Sequence, residues 1–281
     1  MILMCLQIKW KQFSIIFMMY MHRIRRGKEE TMKSHIRIPK CVLKRFEDEN
    51  NFLFILDTEK NTINRGHAKS VNTQVDYYSE KVEAQLNEEI ETPLGKILQE
   101  IEQIELSDPK FSLTEEQWNV IKQYTYALLA RSKRLHELIT EKSKFSYLHS
   151  EQSNHDSAFL ISQDILLGKN EFGEHFITLL NNFTNIPFVL PLCGSYKVGF
   201  GGTEMTCLPI MPKVAIVLVE KQLEAHFLKN EKICFIKLDK EEDALFLNRV
   251  ALQAAKSDGC NRVVSNSQEI LCRMKHECTT C

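Results

Sequence analysis

The sequence predicts an α+β fold. In it, an N-terminal β-hairpin and C-terminal strands close one mixed or antiparallel sheet around central long helices. Three observations predict this. Short apolar runs rich in β-formers lie at 52–65 and again after Asn185. Between them, apolar residues recur at helical spacing. Strands, then helices, then strands, without βαβ alternation, argue against a doubly wound sheet. The 281 residues, 43% hydrophobic and 26% charged, suffice for a sizeable core. No Pro/Gly/Ser-rich linker and no internal repeat divides them, so 32–270 reads as one domain.

The elements follow in order. Residues 1–31 read as a translated leader. Gly27-Lys-Glu-Glu-Thr-Met32 can be encoded GGA-AAG-GAG-GAA-ACA-ATG, which carries a bacterial ribosome-binding sequence before Met32. The apolar run Phe13-Ser-Ile-Ile-Phe-Met-Met-Tyr20 is far short of the roughly 20 residues of a membrane span, and no small-residue cleavage site follows it. Residues 34–46 are basic with apolar residues between. Phe52-Leu-Phe-Ile-Leu-Asp57, the turn-like Thr58-Glu-Lys-Asn61 and Thr62-Ile-Asn-Arg65 make the hairpin. Ser79 opens a helix whose first turn holds Glu80 and Glu83. Pro93 suits the first residue of a second helix, with Leu94, Ile97, Leu98 and Ile101 as its buried stripe. Thr114-Glu-Glu-Gln117 is a capping box starting a long helix to about Tyr147. Helical segments are expected at 156–167 and 172–183. Strands are expected at 188–190, 205–208, 214–219, 233–238 and 262–265, with a helix over 241–256 and a hairpin turn at Gly199-Phe-Gly-Gly202. Residues 271–281 form a Cys-rich tail.

A net charge of −1 gives no global field toward nucleic acid or anionic membrane, so such a partner needs a local patch. Nine cysteines, an odd number mostly set singly in apolar runs, suit reduced thiols in a bacterial cytosol rather than a disulfide framework. Dinucleotide-binding, phosphate-loop, nucleophile-elbow and His-Glu-x-x-His motifs are absent.

Several pieces together carry a resemblance. They are His35-Ile-Arg-Ile-Pro39-Lys-Cys-Val-Leu43-Lys-Arg-Phe46, the hairpin, Asp76-Tyr-Tyr-Ser79 with Glu83 and Glu91, Tyr126-Ala-Leu-Leu-Ala-Arg131-Ser132, Ile186-Pro-Phe-Val189 and Leu208-Pro-Ile-Met-Pro212. In order and spacing over about 34–270, the chain resembles the bacterial and phage family termed domain of unknown function 4238. The resemblance implies no particular reaction; the phage connection suggests a role in phage defence. Where that family has a polar Thr-Ser-Asp-Asn-Pro stretch, this chain has Leu190-Pro-Leu-Cys-Gly194.

His35, Glu83, Glu91 and Arg131 are the candidate catalytic residues. A His, two carboxylates and an Arg suit a phosphate and a divalent metal, Mg or Mn, as phosphodiester hydrolysis requires. Glu83 and Glu91, eight apart, lie about 80° apart around a regular helix. An acidic helix face paired with the basic 33–45 segment, and a buried ion pair at Arg131, explain the same residues structurally. Lys40, Lys44 and Arg45 form a basic strip for phosphate or an acidic protein. Cys272, His276, Cys278 and Cys281 are candidate zinc ligands, although all four lie on one terminal segment. Two readings therefore stand side by side: a metal-assisted nuclease or phosphoesterase-like effector, and a non-catalytic binding or regulatory protein using the basic strip.

Overall fold

The computed structural model describes residues 33–75, 77–103, 113–131, 155–157, 159, 160, 163, 175–200, 203–220, 228, 229, 232, 233 and 235–279. The leader, Cys281 and most of the segment expected to be helical between 132 and 167 lie outside these residues; 155–157, 159, 160 and 163 are helical.

The α+β class is as expected, with the strands shared between two main sheets. A four-stranded antiparallel sheet has the order β3-β2-β13-β6: Thr62–Gly66, Leu53–Asp57, Arg262–Ser265 and Leu190–Pro191. The early hairpin is thus zipped to the last strand. Its turn is held by the Asp57 carboxylate, which accepts from the Lys60 N–H at 3.0 Å, and by Asn61 at φ 51. A five-stranded sheet has the order β12-β5-β9-β8-β7: Ile236–Leu238, His175–Asn182, Val214–Glu220, Thr203–Met211 and Tyr196–Phe200. Only the β12–β5 pair is parallel. Two small pairs complete the strands: β1 (Lys33–His35) with β4 (Thr73–Val75), and β10 (Leu228–Lys229) with β11 (Lys232–Ile233).

The helix expected over 172–183 is strand β5. Phe176, Ile177, Leu179, Leu180 and Phe183 carry the i, i+1, i+3, i+4, i+7 spacing of a helix. A central strand covered on both faces is apolar throughout, however, and periodicity alone cannot separate the two. Ile177 and Leu179 enter one interior, and Phe176 and Leu180 the other.

The two helices expected from Ser79 are one continuous rod: α2 (Glu80–Gln85), a π-helical turn (Leu86–Glu91) and α3 (Thr92–Gln103). Pro93 has no N–H for the Glu89 carbonyl and its ring crowds that oxygen. The widened turn absorbs both faults, and the Thr92 N–H bonds back five residues to Asn87. Helix α4 (Glu115–Ala130) begins with the expected capping box.

The rod and α4 cover one side of the sheets. Their interior gathers Leu86, Ile90, Leu94 and Ile121 with Leu53, Ile216, Leu218 and Val264, so early and late segments share it. The second interior lies under α5 (Glu241–Ser257) and α6 (Gln268–Thr279), against Phe54, Leu56, Phe188, Val217 and Val263. Helix α6 takes in 271–279 of the Cys-rich tail expected at 271–281. Ile270, Leu271 and Met274 are buried on one of its faces, which ties the segment down. Among the described residues, no helix is long and apolar enough to cross a membrane.

Candidate functional site

Arg131 ends α4, where its backbone N–H still bonds the Ala127 carbonyl. Its side chain turns into the protein and is only 3% exposed. A buried guanidinium is costly unless its N–H groups are met. Nη2 donates to Glu91 Oε1 at 3.1 Å, and Nη1 to the Arg37 carbonyl at 2.9 Å. The rings of Tyr78 and Phe159 lie 5.9 Å from its central carbon. Burial alone pulls the Arg131 pKa down, but the nearby carboxylates, Glu91 foremost, hold it above its ordinary value.

Glu91 closes the π turn. The wider winding removes rotation between Glu83 and Glu91, so the 80° separation of a regular helix shrinks. Both carboxylates act on Arg131.

His35 ends β1. Its Nε2 lies 3.0 Å from the Ala68 carbonyl, so this nitrogen carries the proton and Nδ1 keeps a lone pair. Burial lowers the imidazole pKa from the ordinary 6.5, against the Ala68 bond and the charge of Glu91, while Lys40 and Arg131 lower it further. Of the four residues singled out from the sequence, Glu91 and Arg131 are in direct contact; Arg131 also feels the charge of Glu83, and His35 feels the charges of Glu91, Lys40 and Arg131.

Two further groups join the surroundings of Arg131 without standing among the candidates. Asp156 is fully buried; Oδ1 accepts from the Ser79 N–H at 2.9 Å, while Oδ2 has no hydrogen-bond partner among the described residues. Burial raises its pKa, against the Ser79 bond. Tyr78, buried against Arg131, has its phenol pushed up by burial. No local signal points to Asp156, because its contact spans 77 residues.

Of the basic strip, Lys40 and Lys44 are exposed, four residues apart on α1 (Lys40–Leu43) and the 3-10 turn (Lys44–Phe46) that follows. Arg45 is already taken: it pairs with Glu102 and donates to the Gly95 carbonyl at 3.4 Å. Among the described residues, no three His, Cys, Asp or Glu side chains are grouped to hold a metal ion. The Mg or Mn expected with the His/Glu set therefore finds no preformed cage there. Of the expected zinc set, Cys272 and His276 stand one turn apart on α6; the Cys278 side chain and Cys281 lie outside the described residues.

The His35 environment has a consequence for stability. Just below pH 6.5 the unfolded chain binds a proton that folded His35 refuses, so stability falls as the solution is acidified through that range and recovers above it. His35→Gln is expected to flatten this slope in urea unfolding midpoints measured between about pH 5 and 7.5. An unchanged slope would mean that His35 titrates normally.

The model of the family described as "Protein of unknown function (DUF4238)" matches residues 35–185, just over half of the 281-residue chain. The chain belongs to that family. The match contains all four candidate residues and stops before the Leu190-Pro-Leu-Cys-Gly194 departure, which forms a buried turn with Gly194 at φ 94. No curated protein and no solved structure matches the chain.

Proposed function

We propose that this chain is a phosphodiester hydrolase, an intracellular nuclease-like effector of bacteria acting in the cytosol against phage. The observation that carries the reading is His35: held in one tautomer by Ala68, with its pKa lowered, so that Nδ1 is the unprotonated nitrogen, in the field of Lys40 and of the Glu91–Arg131 pair. Lys40 binds the non-bridging phosphate oxygens. His35 Nδ1 takes the proton of the attacking water or hydroxyl. Arg131 does not reach substrate; it fixes Glu91, whose carboxylate balances the imidazolium as it forms.

Purified protein is expected to cleave RNA, DNA or bis(p-nitrophenyl) phosphate, assayed with and without Mg or Mn. His35→Gln should lower kcat by about 10²–10⁴, and Lys40→Ala should chiefly raise KM. Absence of turnover on all three substrates would overturn the reading. One observation favours non-catalytic binding instead: Lys40 and Lys44 are exposed and carry no ion pair among the described residues. In that case salt-sensitive nucleic-acid binding disappears on charge reversal at both, without cleavage in the wild type.

A further inference from the structure

Away from the Arg131 cluster, two cysteines meet. Cys193 follows β6 and Cys260 precedes β13, and these strands are paired, with Val263 opposite Pro191 and the Leu192 N–H donating to the Arg262 carbonyl at 2.9 Å. Asn261, at φ 51, turns the chain just before β13. The strand pairing sets the two cysteines side by side, where each shifts the other's titration, and both are free. Each is also anchored to backbone: Cys193 Sγ lies 3.5 Å from the Ser195 carbonyl and Cys260 Sγ 3.4 Å from that of Ala255. Cys193 is buried and Cys260 half-buried, so one sulfur is reachable and its partner waits beneath it.

The pair is asymmetric. The neighbouring Cys193 thiol brings the Cys260 pKa down to about 7, and the Cys193 pKa is raised by its Cys260 neighbour and by burial. A reachable thiolate beside a second, protonated thiol is the arrangement that oxidants attack selectively.

We propose that Cys193 and Cys260 form a two-electron redox site, oxidised to a disulfide by hydrogen peroxide and reopened by a dithiol. The Cys260 sulfur attacks one peroxide oxygen and the O–O bond breaks. The departing oxygen leaves as water with the Cys260 proton, and Cys260 becomes a sulfenic acid. The Cys193 sulfur then attacks the Cys260 sulfur; the S–O bond breaks, and the hydroxyl leaves as a second water with the Cys193 proton. The peroxide gains two electrons and each sulfur loses one. Arg37 joins this site to the cluster: its guanidinium pairs with Asp258 beside the thiols, and its carbonyl accepts from Arg131.

The test is to treat the purified full chain with hydrogen peroxide, alkylate in denaturant and map the peptides. The expected result is a linked Cys193–Cys260 peptide, lighter by two hydrogen atoms, with both residues lost to alkylation and recovered after dithiothreitol. Cys193→Ala should halt at the first step, so that dimedone labels Cys260. Should that variant misfold, the wild-type map still decides. The proposal is overturned if peroxide leaves both cysteines alkylated as before, or links Cys260 to any of the other seven.

Discussion

Arg131→Ala is expected to destabilise the protein by about 3–5 kcal/mol, measured as the loss in urea unfolding free energy. Removing the guanidinium leaves the Glu91 carboxylate, 18% exposed, without its ion-pair partner, and orphans the Arg37 carbonyl. It also strips the cation from between Tyr78 and Phe159 and opens space in a dense interior. Adding Glu91→Gln to this variant should cost much less than Glu91→Gln costs alone, since the pair is then already broken. If the two losses simply add, the pair is not a unit. A loss below about 1 kcal/mol for Arg131→Ala, the level of an exposed pair, would contradict the burial on which the site rests.

Asn248→Leu is the second large effect. Asn248, on α5, is 1% exposed, and its amide does the work of a missing strand. Oδ1 accepts from the Val189 N–H at 2.9 Å and Nδ2 donates to the Pro187 carbonyl at 2.8 Å. Leucine fills much the same volume and meets neither group. Each backbone group left buried without a partner costs about 1–3 kcal/mol. The summed loss should appear in unfolding midpoints, while Gln253→Ala, on the exposed side of the same helix, should change little. Equal effects at the two positions would mean that the 187–189 segment does not depend on Asn248.

Legibility in the sequence tracked how local each cause was. The capping box at Thr114, the hairpin turn at 58–61 and the helix over 241–256 are set by neighbouring residues, and the structure carries them where the sequence placed them. Strand β5 was misread because burial on both faces erases the alternation that marks a strand. The continuity of the rod through Pro93 was hidden because the proline fault is relieved by a π turn rather than by a break. At the site, His35, Glu83, Glu91 and Arg131 stood out as polar residues of the stretches that carry the family resemblance, Arg131 also as an interruption of an apolar helix face. Asp156 did not, since only the folded chain brings it to Ser79. Arg45 reads in the sequence as part of the basic strip because its partner Glu102 lies 57 residues on.

The central claim is that His35 stands neutral, with an available nitrogen, at a place where phosphate docks. The most direct measurement is ¹⁵N NMR of the His35 ring, titrated with acid in the absence and presence of inorganic phosphate, in wild type and Lys40→Glu. The account predicts an Nε2-protonated tautomer titrating below 6.5, a rise of that pKa when phosphate is added, and no rise in Lys40→Glu. A ring that titrates at 6.5 or above and ignores phosphate would contradict it.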